Sequence, residues 1–477
     1  MALKLDERRV AELSNFWSTE LARNPSKNQN ELWKEHLLIR QVLGVVDGEV
    51  YNFRENFNRP AREECTPSLM KWLEEEGVNI GSVAIRPTEF GYGLFAMREI
   101  ATDDTILRIP RKVFLSVDCA ADYPEIRRMQ ANDYLLTGMP NITLAMIVGY
   151  MVLTENPRFT PYINSLPDSN LTAFFFSEKQ ILSLKPSPIF EATLLMFRSI
   201  ARHYIYFVLR IYGDAVVKTK TPSQTEYKFH KSPFNSEKFT FDFYRWCVSV
   251  VTTRQNVIPS TEYKSSDGFT FPIPALIPLI DFANYQIDKK DSAGMIYDTE
   301  SMSVLMHVRK PIAIGEEIFL DYGRRSNGNF LEHNGFVPLD DNDKDMYEIK
   351  FGFPKTPKTF EKQKRLMERI VESENGGYEF TLHREGLEEL DIKRTALWYF
   401  ASIFVATDLD QINSAENKAR TREFLLQRIQ LLQRPYSTLA EKEDETADLI
   451  SRYIWRLKNS ELKLLRMYEN KISALEL

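Results

Sequence analysis

The feature that most constrains the fold is an apolar run that ends in polar residues, Ala275–Tyr285, with the sequence ALIPLIDFANY. An apolar run of this kind is typical of a buried segment, and it delivers Asp281 and Asn284 at its end. Because an unpaired buried polar group costs about 1–3 kcal/mol, both side chains need partners from the protein or from a ligand. The segment alone is compatible with an ordinary buried turn and with a binding site.

The composition limits the class of protein. The 477 residues are too many for one compact core and predict two or three domains. A net charge of -6 argues against a protein that binds nucleic acid through a basic domain. Cys65, Cys119 and Cys247 form no C-x-x-C pair, which suits a reducing compartment and predicts no zinc cluster. The six histidines show no metal-ligand spacing, so we expect no metal.

The ends and the apolar stretches predict where the protein resides. The N-terminal sequence MALKLDERRV carries charges where a signal peptide needs an apolar run. The longest apolar stretch, Ile142–Leu153, is too short to span a bilayer. We therefore expect a soluble, monomeric cytoplasmic protein without a membrane or nucleic-acid partner, with the nucleus as a further compartment.

Periodicity predicts a sheet that is interrupted by helices. Residues 1 to about 78 and about 128–245 have helical spacing, apart from an exposed loop predicted at Gly213–Lys238. Short β-prone pieces lie in Val83–Lys112 and resume downstream at Met302–Val308 and Glu317–Leu320. The rest of the chain, from about Lys344, is predicted to be mostly helical.

An apolar stripe near the C-terminus predicts one amphipathic helix. Its members recur mostly at three- and four-residue steps: Ile450, Ile454, Leu457, Leu464, Tyr468, Ile472 and Leu475. Packing against neighbouring helices is the favoured interpretation, and a groove for a partner is the alternative.

Three longer motifs carry a family resemblance: TRQNVIP at Thr253–Pro259, ALIPLIDFAN at Ala275–Asn284, and YGRRSNGNFLEHNGF at Tyr322–Phe336. With them the chain resembles the SET-domain protein methyltransferases, in the branch of the Rubisco large-subunit methyltransferase, and within it the actin-histidine methyltransferases. Weaker matches, in family order, are Arg62–Glu63, Leu69–Trp72 and Gly91–Leu94.

The resemblance implies an α+β fold and a domain organisation. It implies a SET domain of small twisted sheets at 79–127 and 246–336, with a helical insert at 128–245. A helical extension would occupy 1–78, and an all-α substrate-binding domain 337–477. It also implies S-adenosylmethionine as the cofactor and a protein substrate, with actin as the best candidate.

The same resemblance implies a site for the methyl donor. Arginines would contact the carboxylate of the donor, and the backbone beside two glycines would contact its amino acid or adenosine part. An Asp–Asn pair would lie near its amino group. Tyr285 and Asn334 would border its adenine. The matching positions are Arg62, Phe90, Gly91, Tyr92, Arg254, Asp281, Phe282, Ala283, Asn284, Tyr285 and Asn334. Surface salt bridges for the arginines, and a cap or turn for Asn334, are the alternatives.

Tyr322 and Asn256 are the candidate catalytic residues. By resemblance, the Tyr322 hydroxyl or ring orients the nucleophile, and a core tyrosine is the alternative. Lysine, with a reference pKa of about 10.4, costs roughly 5 kcal/mol to deprotonate at pH 7, whereas histidine, at about 6.5, is already mostly neutral. An amide at Asn256 could bind one ring nitrogen and fix the tautomer, and a turn-capping Asn is the alternative.

The predicted substrate-binding residues are Asn256, Ile258, Ile280 and Arg202. Lysine-directed relatives more often have an aromatic residue at the position of Asn256, so this residue favours histidine as the nucleophile.

Two departures from the family pattern keep alternatives open. Tyr285 stands where the family usually has histidine, and Ile280 where the actin-directed enzymes have tryptophan. A lysine methyltransferase acting on a non-histone protein and a non-catalytic binding module are the rival hypotheses. His333, inside FLEHNGF, is predicted to satisfy local backbone groups rather than to act as a base.

Overall fold

The computed structural model describes residues 7–45, 51–89, 91–131, 133–169, 171–216, 233–234, 237–264, 268, 270–287, 292–352, 360–367 and 377–476. They fall into two compact units. The first is drawn from residues 1–177, 191–323 and 333–335, and the second from residues 178–190, 324–332 and 336–477. The predicted α+β class is confirmed, since both units combine helices with small antiparallel sheets.

Helices open the first unit, as predicted for residues 1–78. They are α1 (Glu7–Phe16), α2 (Gln29–Leu43), α3 (Phe53–Phe57) and α4 (Arg62–Glu75). Local sequence sets their ends: the Asn28 side chain accepts from the first backbone N–H groups of α2, and Gly44 ends that helix at φ +68°.

The strands of the first unit are β1 (Val83–Thr88), β2 (Gly91–Ala96), β3 (Thr105–Pro110), β4 (Leu115–Ser116), β5 (Asn256–Lys264), β6 (Thr270–Leu276), β7 (Ala293–Asp298) and β8 (Ser303–Val308). β1 and β2 form a hairpin, and two three-stranded sheets have the orders β3-β8-β7 and β4-β6-β5. Both three-stranded sheets pair a strand from before the helical stretch with strands from after it. The predicted interruption of a sheet by helices is therefore confirmed.

The interrupting helices are α5 (Pro124–Ala131), α6 (Tyr134–Gly138), α7 (Pro140–Leu153), α8 (Thr160–Ser165), α9 (Glu178–Ser183, second unit), α10 (Ile189–Val216) and α11 (Phe241–Arg254). Ten of the fourteen residues of α7 are buried, and this helix packs against α11 inside the first unit. This packing holds α11, the helix that ends at Arg254. Most of the predicted loop, 217–232 and 235–236, lies outside the described residues.

One predicted strand is wrong. Within Glu317–Leu320 only isolated bridges occur, from Glu317 to Phe95 and from Leu320 to Ala293. The segment is held by single backbone bonds, such as Ile318 N–H to the Leu94 carbonyl at 2.7 Å. Each end contacts a different strand, so no continuous ladder forms.

The second unit contains α12 (Asn327–Asn329), β9 (Met346–Gly352), α13 (Phe360–Met367), β10 (Gly377–His383), α14 (Ala396–Val405), α15 (Ala415–Gln433) and α16 (Leu449–Ser473). The antiparallel pairing of β9 with β10 corrects the prediction that residues 337–477 are all helical. Its buried residues alternate with polar ones, as in Tyr347 and Ile349, which is the two-residue period of a half-buried strand.

The apolar stripe near the C-terminus lies on α16. Ile454, Leu457, Leu464, Tyr468 and Ile472 are buried, which agrees with packing rather than with a free groove. In the described part of the chain, no helix combines the length and the apolar character needed to cross a membrane.

Candidate functional site

The chain turns sharply before Asp281. Strand β6 ends at Leu276, Leu279 adopts φ +72°, and a 3₁₀ turn follows at Ile280–Phe282. A positive φ is strained for a leucine and costs of the order of 1–3 kcal/mol. Ile280 is completely buried in the core beside it, so packing maintains the turn that aims Asp281.

The two carboxylate oxygens of Asp281 have different surroundings. Oδ2 accepts a hydrogen bond from the Tyr162 hydroxyl at 2.7 Å and lies 4.0 Å from Arg254 Nε. Oδ1 is buried and has no hydrogen-bond partner among the described residues. Burial raises the pKa of Asp281, while Arg254 and the Tyr162 hydrogen bond oppose the rise. Tyr162 and Arg254 therefore lie at one oxygen, and the other is left without a hydrogen bond from the described residues.

Arg62, the first residue of α4, lies over aromatic rings. Its Nε donates to the Ser165 carbonyl at 2.7 Å, and its guanidinium carbon lies 4.8 Å from the centre of the Tyr92 ring and 5.1 Å from that of Phe282. Burial lowers the pKa of Arg62 to about 10, and Arg254 acts in the same direction. The group stays protonated at neutral pH, so two guanidinium groups face the region of Asp281.

Asn284 ties the Asp281 turn to strand β2. Its Nδ2 donates to the Tyr92 carbonyl at 3.1 Å and to Glu317 Oε1 at 2.7 Å. A side chain at Gly93 would collide with the Glu317 carboxylate. Burial raises the pKa of Glu317, and the bond from Asn284 opposes that rise. The absence of a side chain at Gly93 thus lets the carboxylate lie against the strand.

Tyr322 reaches the same turn from the other side. Its hydroxyl donates to the Ala283 carbonyl at 3.0 Å, and its ring centre lies 5.4 Å from that of Tyr285. Backbone bonds reinforce the approach, since Leu320 N–H donates to the Asn284 carbonyl at 2.8 Å. The segments around positions 284 and 322, far apart in sequence, therefore meet.

Asn256 begins β5 two residues after α11 ends at Arg254. Its Nδ2 donates to the Arg254 carbonyl at 3.2 Å, and it pairs in register with Ala275 on β6. Val257 is largely exposed, whereas Ile258 is buried. The half-buried Asn256 thus lies where the strand passes from surface to core, and its pairing with β6 links it to the segment that leads to Asp281.

Three further predicted residues are Arg202, Asn334 and Phe90. Arg202, on α10, places its guanidinium over the Trp17 ring at 5.7 Å. The N-terminal helical segment therefore provides one contact of Arg202. Asn334 ends a short π-helical turn, and the following Gly335 lies against the backbone of Leu171. Phe90 lies outside the described residues.

Sequence reasoning missed Tyr162, Ser165 and Glu317. Tyr162 and Ser165 lie in the short proline-flanked helix α8, whose sequence has no spacing that points to a site. Glu317 begins an otherwise apolar run, EIFL. A charged residue in a β-prone apolar run was the one available signal.

The arrangement suits a ligand with an ammonium and a carboxylate. Asp281 Oδ1 is a buried acceptor without a partner among the described residues, and an ammonium can supply the missing hydrogen bond. Arg62 and Arg254 are both guanidinium groups near Asp281, and a carboxylate of a ligand can pair with either of them. The α-amino acid end of a ligand has both groups.

Comparison with known proteins identifies the domain. Residues 91–323 match the family model of the SET domain. These residues form a SET domain. The matched residues include the Asp281 turn, Asn256 and Tyr322, and extend across the helical insert. The predicted family is confirmed.

The chain is also similar over most of its length to curated relatives. It is 28% identical over 488 residues to the actin-histidine N-methyltransferase of Gallus gallus, covering 97% of this chain and 76% of the relative. It is 28% identical over 442 residues to the enzyme of the same name from Canis lupus familiaris, covering 88% of this chain and 70% of the relative.

Solved structures share the fold. The SET domain of LSMT bound to lysine and AdoHcy superimposes with a TM-score of 0.64 at 16% identity, covering 87% of this chain and 92% of that one. Rubisco LSMT bound to AdoMet superimposes with a TM-score of 0.63 at 16% identity, and the match covers 86% of this chain and 91% of that one. The SET domain assigns the chain to the protein methyltransferases that use S-adenosylmethionine.

Proposed function

We propose that the protein is a protein-histidine N-methyltransferase that acts on actin and modifies the tele nitrogen of a histidine. The observation that carries the proposal is Asn256, an amide anchored beside the end of α11. The relatives named as actin-histidine N-methyltransferases support it. Action on actin would place the protein in the cytoplasm.

The residues around Asp281 fit S-adenosylmethionine. Asp281 Oδ1 would accept from the donor's ammonium, and Arg62 and Arg254 would bind its carboxylate. Gly91 and Tyr92 would approach it through their backbone, and Tyr285 would lie beside the adenine. The donor supplies a methyl group already activated on a sulfonium. The protein then has to align the two reactants and exclude water.

Asn256 would select the imidazole and its tautomer. Its Nδ2 is engaged by the Arg254 carbonyl, which leaves Oδ1 as the acceptor that it presents. An imidazole that donates its Nδ1–H to this oxygen has its lone pair on Nε2, the tele nitrogen. Because the pKa of histidine is about 6.5, no deprotonation precedes the attack at neutral pH. Tyr322 would orient the nucleophile, with its hydroxyl held by the Ala283 carbonyl.

The test is transfer of labelled methyl from S-adenosylmethionine to purified actin, with an actin variant that lacks the target histidine. We expect label on wild-type actin alone, on one histidine by mass spectrometry. Equal label on both actins would rule out the histidine assignment.

A lysine methyltransferase is the second candidate, because Ile280 stands where the actin-directed enzymes have the larger tryptophan. The same assay separates the two with Asn256→Phe. Under the histidine proposal this variant loses activity on actin, because the tautomer-selecting acceptor is gone. Under the alternative it retains its activity on lysine substrates.

A non-catalytic module remains as a third outcome, suggested by Tyr285 in place of the family's histidine. Calorimetry with S-adenosylmethionine distinguishes it, since a module without a donor site releases no binding heat. The helical part of the second unit stays a predicted substrate-binding region.

A further inference from the structure

Tyr162 is a fully buried tyrosine outside the motifs of the family resemblance. Its hydroxyl donates to Asp281 Oδ2 at 2.7 Å. Burial raises the pKa of Tyr162 well above its usual value, with Asp281 adding to the rise, so the phenol stays protonated. A protonated phenol beside a carboxylate acts as a donor, and it occupies one of the two oxygens of Asp281.

The short helix that carries Tyr162 also contacts Arg62. The Ser165 carbonyl accepts from Arg62 Nε at 2.7 Å, and the Ser165 hydroxyl donates to the Tyr162 carbonyl at 2.7 Å. Helix α8 thus contacts the charged groups proposed for both ends of the amino acid part of the donor.

The end of this helix and the chain that follows it are also held in place. The Arg54 guanidinium donates to the carbonyls of Asn164 and Leu166 at 2.8 and 2.9 Å, and it also pairs with Asp168. The backbone N–H of Phe53 donates to the Asp168 carbonyl at 2.8 Å. With Arg54 almost fully buried, these bonds hold α8 against α3 and limit the movement of Tyr162.

We propose that Tyr162 is a positioning residue for the methyl donor, which holds the Asp281 carboxylate so that Oδ1 stays open to the donor's ammonium. The inference rests on the proposed function. Arg254 Nε lies 4.0 Å from Oδ2, beyond hydrogen-bonding distance. Without the Tyr162 hydrogen bond, the Asp281 carboxylate can rotate toward Arg254. The two groups then form an ion pair with each other, and neither is available to the ligand.

The experiment compares two ligands on the full-length Tyr162→Phe variant by calorimetry. S-adenosylhomocysteine carries the amino acid group, and 5′-methylthioadenosine has the same nucleoside and thioether without it. We expect affinity for S-adenosylhomocysteine to fall about tenfold, equivalent to about 1.4 kcal/mol, and affinity for methylthioadenosine to stay within twofold. A general disturbance of the fold would weaken both ligands.

Tyr204→Phe is the matched control. Tyr204 is also buried and donates its hydroxyl to a backbone carbonyl, that of Phe239, at 3.1 Å. This variant should leave both affinities unchanged. Combining Tyr162→Phe with Asp281→Asn should weaken S-adenosylhomocysteine no further than Asp281→Asn alone, because Tyr162 acts through Asp281.

Each result decides between the hypotheses. Unchanged S-adenosylhomocysteine binding in Tyr162→Phe, an equal loss for both ligands, or additive losses in the double variant would overturn the role of Tyr162. Wild-type protein that binds neither ligand would overturn the proposed function, and the inference with it.

Discussion

At the scale of single residues, the site depends on a buried charge that is only partly compensated. Asp281 is held by Tyr162 on one oxygen and lies 4.0 Å from the nearer guanidinium, Arg254. Leaving a buried carboxylate oxygen without a hydrogen bond is unfavourable by about 1–3 kcal/mol or more. Under the proposed function, the donor's ammonium would supply the missing hydrogen bond, and the free energy recovered would add to its affinity.

Tyr322→Phe tests the proposed catalytic tyrosine at this scale. The hydroxyl contacts the Ala283 carbonyl, and its loss removes the group that fixes the ring beside Tyr285. We expect turnover with actin to fall roughly 10–100-fold, while the affinity for S-adenosylhomocysteine changes less than twofold. Steady-state kinetics and calorimetry measure the two effects, and an unchanged rate would remove Tyr322 from the proposed catalytic residues.

At the scale of elements, strand β2 approaches the Asp281 turn closely because it has a glycine at position 93. The Glu317 carboxylate occupies the space where a side chain would be and binds Asn284 at 2.7 Å. Asn284 in turn donates to the Tyr92 carbonyl. The hairpin, the Glu317 segment and the turn are thus joined through one amide.

Gly93→Ala should separate these elements. The added methyl meets the Glu317 carboxylate and also approaches Thr88 Cγ2 to 2.9 Å, so the flexible Glu317 has to move away from Asn284. We expect affinity for S-adenosylhomocysteine to fall several-fold, with a loss of stability of roughly 1–3 kcal/mol. Gly138→Ala is the control, since a methyl group added there would have no described atom within 4 Å outside its own helix and chain neighbours. Equal behaviour of the two variants in calorimetry and thermal melting would contradict this account.

At the scale of the whole molecule, the second unit contains a buried acid that makes its stability depend on pH. Glu461, on α16, accepts from the Ser187 hydroxyl at 2.6 Å and from the Tyr436 hydroxyl at 2.7 Å. Burial raises the pKa of Glu461 to about 8. These bonds join the early segment 178–190 to helices near the C-terminus, which explains why that segment belongs to the second unit.

Glu461→Gln should reduce this pH dependence. Between the unfolded pKa of about 4.5 and the folded pKa of about 8, the folded state holds a proton that the unfolded state releases. Stability is therefore fully present below the lower value and falls as the pH rises through the window. At about 1.36 kcal/mol per pKa unit, the wild type loses up to about 5 kcal/mol of folding stability as the pH rises through this window.

Urea unfolding of the full chain from pH 5 to pH 9 measures the effect. The free energy of unfolding of the Glu461→Gln variant should change less with pH than that of the wild type. At pH 9 the variant should be more stable than the wild type. Glu469→Gln, on the same helix with side-chain bonds to Gln430 and Gln433, should keep the wild-type slope. Parallel profiles for Glu461→Gln and wild type would contradict the assignment to Glu461.

The sequence alone was sufficient for features that depend on local pattern. The helical spacing of the C-terminal stripe and the β-prone pieces of Val83–Lys112 became α16 and the strands β1–β3. The alternation in β9 and β10 was equally local, yet it was hidden by the helical composition around it. Glu317–Leu320 has strand propensity, but no single strand pairs along its length. Because a strand needs a partner, the sequence of one segment does not decide whether a strand forms.

What the amino-acid order determined by itself was the family, the interrupted sheet, and the need of Asp281 and Asn284 for partners, because motifs and periodicity are properties of neighbouring residues. Tertiary structure alone decided which partners they have. Tyr162 and Glu317 reach them across 119 and 33 positions of the chain, and Arg202 contacts the ring of the distant Trp17. Such contacts arise when elements that are distant in the sequence pack together. No repeating pattern in the sequence marks the residues that then meet.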